Sequence, residues 1–184
     1  RPTVHDLPLV RPIPLAPPPG EGPLRFLFAS AVIPTKGPDR LLKAFKALPS
    51  GAATLTIAGP SPPFDAAPGF AEKLRAAVEH TPGARWEGAL PPAAIGALLG
   101  RHDVLCLPST WPENSPLIVR EATAAGLRVL ASAEGGSVEL DPSLRVIFPD
   151  SSIAMLTDLL RAEVALGRRR RAPLQWPDPD EHAL

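Results

Sequence analysis

From residue 24 onward the chain alternates short apolar runs with segments of helical spacing, and this alternation most restricts what it can fold into. The runs at 24–29, 54–58, 85–87, 104–107, 128–131 and 146–148 read as strands. Between them, 37–48, 70–80, 92–99 and 116–125 read as helices, and 151–166 as a final amphipathic helix. In the first helix Leu41, Leu42, Phe45 and Leu48 share one face. Pro92 fits a first helical turn and Gly100 a helix end. Ser115, Pro116 and Gly126 fit the N-cap, first position and C-terminal stop of the fourth helix. Strands alternating with helices give an α/β domain with a parallel sheet, whose short apolar strands are covered on both faces.

The flanks differ from this middle. Residues 1–23 carry Pro2, Pro8, Pro12, Pro14, Pro17, Pro18, Pro19 and Pro23, too dense for a helix or a central strand. They read as an extended interdomain linker or arm, with 24–167 as the domain and 168–184 as a basic, then acidic tail. Arg168–Arg171 reads as a solvated helix end that suits the helix dipole, ahead of a phosphate or membrane patch. Met155 is the lone methionine and the chain starts at Arg1, so the expectation is a piece of a longer protein.

Lys+Arg and Asp+Glu balance at 19 each, which removes the basic excess expected of a nucleic-acid binder. Cys106, the single cysteine, lies in an apolar run and reads as a small buried hydrophobe; no internal disulfide can form. No stretch is apolar for the length of a membrane span, and no signal-peptide pattern opens the chain. These features point to the cytoplasm and leave open docking at the inner face of a membrane. His5, His80, His102 and His182 share no metal-ligand spacing, and His102, just before a buried strand, reads as structural.

Open α/β sheets bind ligands beyond the C-terminal ends of their strands, so the loops after each strand carry the chemistry. The first such loop runs from Ser30 to Lys36 and Gly37, a lysine beside the N–H groups of a helix start, which is a natural diphosphate site. Against it stands the reading of an exposed lysine with a turn glycine. No G-x-G-x-x-G fingerprint occurs, which counts against an ordinary dinucleotide dehydrogenase. The loop after the 104–107 strand holds Glu113, and Glu121 lies on the following helix, whose side chains tilt back toward the same mouth. A carboxylate there accepts two hydrogen bonds from a diol, and a diol plus a phosphate describes a nucleotide or nucleotide sugar. The bland alternative makes both glutamates solvated. Gly135 and Gly136 after the next strand permit close backbone approach, or serve only a tight turn. Trp111 is the indole best placed to stack a base or sugar, with Trp86 and Trp176 read as packing residues.

Together, and in this order, these loops resemble the C-terminal, donor-binding domain of family 4 glycosyltransferases, which have the GT-B fold. Lys36-Gly37 resembles the family's K-G motif, and the run from Glu113 to Glu121 its E-x7-E motif. Ala124-Ala125-Gly126-Leu127-Arg128-Val129 is similar to A-x-G-x-P-V with Arg128 for proline, and Gly135-Gly136-Ser137-Val138-Glu139 to G-G-x-x-E. The resemblance covers about residues 24–140. It implies a Rossmann-like parallel sheet flanked by helices, the C-terminal half of a retaining, nucleotide-sugar-dependent enzyme of a sugar-polymer or glycoconjugate pathway. It implies that Lys36 meets the donor diphosphate, that Glu121 holds the ribose hydroxyls and that Glu113 holds the transferred sugar. It further implies sugar and phosphate contacts at Asn114, Ser115, Pro116 and Leu117, and base contacts through the turn at Gly88, Ala89 and Leu90. No cofactor and no Asp-x-Asp metal site is implied, and the acceptor belongs to an N-terminal domain outside this chain, so 1–184 alone is expected to transfer no sugar. The high Ala, Pro and Arg content hints at a GC-rich bacterial genome.

One departure stands out. Family members often place a G-R pair shortly before the lysine, where this chain has Ser30 and Ala31. One lost charge-assisted contact is worth roughly 1.5–3 kcal/mol, although the Ser30 hydroxyl offers a hydrogen bond. The departure gives weight to a second class of reading, a non-catalytic nucleotide-sugar-binding scaffold or sensor. A nucleotide-sugar epimerase of similar fold is disfavoured by the E-x7-E arrangement.

Overall fold

The computed structural model describes residues 13, 20–64, 66–112, 117–133, 145–147 (backbone only) and 152–173. Its strands are β1 (Leu24–Ala29), β2 (Ala53–Ala58), β3 (Ala84–Gly88), β4 (Val104–Leu107), β5 (Arg128–Ser132) and β6 (Arg145–Ile147). Its helices are α1 (Pro38–Lys46), α2 (Phe70–Glu79), α3 (Ile95–Gly100), α4 (Leu117–Ala124) and α5 (Ile153–Leu166). The strands form one six-stranded sheet in the order β3-β2-β1-β4-β5-β6. Every pairing is parallel, with Phe26 beside Leu55 on one side and beside Val104 on the other.

The period of two along each strand sorts the core into two layers. Phe26, Phe28, Val104 and Cys106 face one way, against Leu41, Leu42 and Phe45 of α1, Leu74 and Val78 of α2, and Leu156 and Leu160 of α5. Leu27, Ala29, Leu105 and Leu107 face the other way, against Leu98 and Leu99 of α3 and Val119 and Ala122 of α4. Ile13, from the proline-rich arm, packs on this second layer. Both faces are thus covered, which is why the inner strands read as unbroken apolar runs. Cys106 and His102 are buried, as their surroundings in the sequence suggest.

Several boundaries differ from the sequence expectation. The first helix begins at Pro38, because Gly37 adopts the left-handed conformation (φ 69°) and closes a 3-10 turn over Pro34–Lys36. The third splits into a 3-10 turn at Pro92–Ala94 and α3, which does end at Gly100, with Arg101 as its cap. The last helix starts at Ile153 because the Ser152 hydroxyl caps it, accepting the Met155 N–H at 3.1 Å. Gly126, at φ 79°, does follow α4, whereas the N-cap and first-position roles expected for Ser115 and Pro116 lie outside the described residues. The solvated helix end expected at 168–171 is absent for Arg168 and Arg170, whose guanidinium groups bond Asp103 and backbone carbonyls beneath the sheet.

Candidate functional site

The strand order places the topological switch between β1 and β4. From β1 the chain turns toward β2, and from β4 toward β5, so the two loops diverge and leave a crevice beyond the strand ends. Lys36 lies in one of these loops, and the other leads from Pro108 toward α4.

The two loops are stitched together. The Thr110 N–H donates to the Thr35 carbonyl at 2.8 Å. A Cβ built on Gly37 would lie 2.2 Å from the Pro108 carbonyl oxygen, so only glycine lets the loops meet here. Further along the same edge, the Ser30 N–H donates to Ala58 at 3.2 Å and the Val32 N–H to Pro60 at 2.7 Å. The Gly59 N–H donates to the Gly88 carbonyl at 2.7 Å, which fixes the turn after β3. The loops that follow β1, β2, β3 and β4 therefore form one connected rim.

Lys36 is half-buried on this rim. Two of the backbone N–H groups beside it are taken within their own turn. The Lys36 N–H donates to Ile33 at 3.1 Å and the Gly37 N–H to Pro34 at 2.9 Å, while Pro38 has no N–H to offer. The loop brings the lysine side chain to the start of α1, where Asp39 in the first turn adds a negative charge nearby. Ser30 is half-buried, and Ala31 leaves no second cation at its position. Gly37 itself is buried and acts by letting the loops meet.

Glu121 is 3% exposed on α4, so it is not the solvated glutamate of the bland reading. Its neighbour Arg120 is 2% exposed. Desolvation lowers the Arg120 pKa, and the Glu121 charge opposes that shift. Sequence reasoning did not single out Arg120; the visible signal was a basic residue directly before Glu121 on a helix otherwise built of apolar and small residues. Leu117, at the start of α4, is 46% exposed. Glu113, Asn114, Ser115 and Pro116 lie outside the described residues, as do Gly135 and Gly136. At the other end of the rim, Gly88 is left-handed (φ 68°), Ala89 is exposed and Leu90 packs on the second core layer. Trp86 turns to the first layer with the Arg75 guanidinium 5.3 Å from its ring, and Trp111 is 65% exposed beside the crevice.

A cavity of about 320 Å³ opens beside this rim, between Val32, the proline loop at Pro62 and Pro63, and Phe64 and Phe70. Another, of about 300 Å³, lies at the opposite end of the sheet, between the C-terminal ends of α1 and α2, and has no bearing on the crevice. Among the described residues no three or more His, Cys, Asp or Glu side chains gather to hold a metal ion. No helix among them is long and apolar enough to cross a membrane.

A doubly wound parallel sheet, its loops joined around a crevice at the switch point, defines a Rossmann-like domain of the ligand-binding α/β class. The chain belongs to the family described as glycosyl transferases group 1, whose model matches residues 16–164. Its fold is similar to that of HepE from Anabaena, crystallised with UDP and glucose (TM-score 0.66, 20% identity, 77% of this chain and 38% of that one). It is similar also to a glycosyltransferase from Rickettsia africae (TM-score 0.66, 21% identity, 81% and 39%). Sucrose-phosphate synthase from Thermosynechococcus elongatus is a third (TM-score 0.65, 22% identity, 82% and 39%). The chain thus spans well under half the length of each of these proteins. No curated protein matches it in sequence.

Proposed function

We propose that this chain is the donor-binding, C-terminal domain of a family 4, GT-B glycosyltransferase, and that its crevice takes a nucleoside-diphosphate sugar. The observation that carries the reading is the join between the Lys36 loop and the loop leading to Glu113 and α4, with Glu121 buried one turn into that helix. HepE crystallised with UDP and with UDP-glucose supports a nucleotide sugar as ligand.

The chemistry follows from where charge develops. Breaking the bond between sugar and diphosphate builds negative charge on the leaving group, and the Lys36 ammonium stabilises it there. The Glu121 carboxylate, tilted toward the helix start, accepts from the ribose hydroxyls. Glu113 orients the transferred sugar, and the turn at Gly88, Ala89 and Leu90 meets the base through backbone groups. Transfer retains anomeric configuration and uses no metal held by the protein. The acceptor and the remaining catalytic groups belong to an N-terminal domain that the 1–23 arm connects, so this chain alone turns nothing over. A cytoplasmic enzyme docking at the inner face of a membrane fits this role.

Ala31, at the position of the family's arginine, favours one other reading, a nucleotide-sugar-binding module that has lost catalysis. Donor hydrolysis and transfer by the longer protein decide between them. Turnover that disappears in Glu113→Ala supports the enzyme, whereas donor binding without turnover in the unaltered protein establishes the module.

A further inference from the structure

We propose that Asp103 is a clasp that fastens two segments to one point under the sheet: residues 20–22, which lead into β1, and residues 167–171, which leave α5. The clasp lies at the N-terminal edge of the strands, opposite the crevice, and it stands whether or not the donor reading holds.

Asp103 directly precedes β4, and its side chain is 0% exposed. Its Oδ1 accepts Arg25 Nη2 at 2.6 Å. Its Oδ2 accepts the Arg25 backbone N–H at 3.0 Å, Arg25 Nε at 2.9 Å and Arg168 Nε at 3.2 Å. Burial alone would raise this carboxyl, but the hydrogen bonds and charge of Arg25, with the charge of Arg168, outweigh it and hold the pKa below its ordinary value. The same Arg168 guanidinium donates through Nη1 to the Glu21 carbonyl at 2.6 Å. One side chain therefore spans the carboxylate and the entering chain, and Gly20 and Gly22 pass against it.

The leaving segment is held along its length. Arg170 Nη2 donates to the carbonyls of His102 at 2.8 Å and Gly100 at 3.2 Å, and Nη1 to that of Ala125 at 3.4 Å. From β5, Arg128 reaches the Gly167 carbonyl at 2.8 Å and the Arg169 carbonyl at 2.9 Å. The Arg171 N–H donates to Gly126 at 3.2 Å. Guanidinium groups with several fixed donors suit this use: Arg170 satisfies carbonyls at the ends of α3 and α4, and Arg128 those of the segment that leaves α5. The arginine run is thus a strap, and Arg168 is the link through which strap and arm share Asp103. Under the donor-domain reading the arm that leads to the other half joins the domain at this point, so the clasp fixes where that arm enters.

The strap contains four consecutive arginines, so trypsin reports its release directly. The arm is reported by a spin label on Gly20→Cys, since the native Cys106 is buried and escapes labelling. In the native chain, Arg168→Gln is expected to raise the cleavage rate within 168–171 at least tenfold and to mobilise the label at residue 20. Cleavage at Arg161, on α5, should stay unchanged. Either segment responding without the other, or neither responding, overturns the proposal. If Arg168→Gln fails to fold, Arg168→Lys, which keeps the charge but cannot span both partners, is judged by the same two readouts.

Discussion

Replacing Gly37 with alanine tests the join between the two crevice loops. Gly37 has φ 69° and ψ 27°, a conformation that costs an L-residue about 1–2 kcal/mol. The added Cβ would lie 2.2 Å from the Pro108 oxygen, where ordinary contact begins near 3.4 Å, so the facing backbone must retreat by 3.4 − 2.2 = 1.2 Å. Forced repacking of that kind costs a further ~1–3 kcal/mol. A retreat in that direction also pulls the Thr110 N–H off the Thr35 carbonyl, now at 2.8 Å, for another ~0.5–1.5 kcal/mol. The expected total is about 2.5–6.5 kcal/mol. Gly51 supplies the control, with φ 76° but nothing within 4 Å of an added Cβ, so Gly51→Ala should cost only the ~1–2 kcal/mol of backbone strain. Urea unfolding of both variants, compared at constant m-value, measures the difference. Equal destabilisation would refute the steric argument and with it the claim that the loops are held in contact here.

Other consequences can be read from buried groups. His102 donates from Nδ1 to the Leu98 carbonyl and accepts the Thr56 hydroxyl at Nε2, and burial lowers its pKa from 6.5 to about 4. Between those values the unfolded chain holds a proton that the folded chain refuses, so stability should fall as pH drops from 6.5 to about 4, by up to ~3 kcal/mol. Urea midpoints across that window should flatten in His102→Gln, and an unchanged slope would contradict the assignment. Asp103, with a lowered folded pKa, should give up its own contribution only below its ordinary value of 3.8, outside that range. Glu163 is 1% exposed and meets Arg128 Nε at 2.6 Å, so Glu163→Gln should cost about 3 kcal/mol, and Glu163→Leu with Arg128→Leu together less than the sum of the single changes. Burial, and then the Glu163 charge, push the Cys106 thiol well above its usual range, so a thiol reagent should modify Cys106 at the rate of unfolding and no faster.

The sheet was legible because its inner strands are short apolar runs, buried on both faces and separated by longer segments of helical spacing. Boundaries failed where glycine or a hydroxyl outweighed the apolar pattern. Gly37 reads as an early helix residue, yet its left-handed backbone starts α1 one position later. In the candidate site, the alternation of strands and helices located the Lys36 loop at the end of β1 and Glu121 on the helix that follows β4. It could not show that the N–H groups of Lys36 and Gly37 are taken by their own turn, because that depends on a 3-10 closure within the loop. It missed the strap because four adjacent arginines look solvated until a buried carboxylate 65 residues away is brought beneath them.

The most direct test of the account is calorimetric titration of this chain with UDP, GDP and ADP, repeated with Glu121→Ala and Lys36→Ala. The account predicts saturable binding of one nucleotide. Either substitution should weaken it by roughly tenfold or more, the ~1.5–3 kcal/mol of a charged hydrogen bond. Binding that ignores both substitutions would contradict it, because the nucleotide would then lie somewhere other than the crevice between the Lys36 loop and α4.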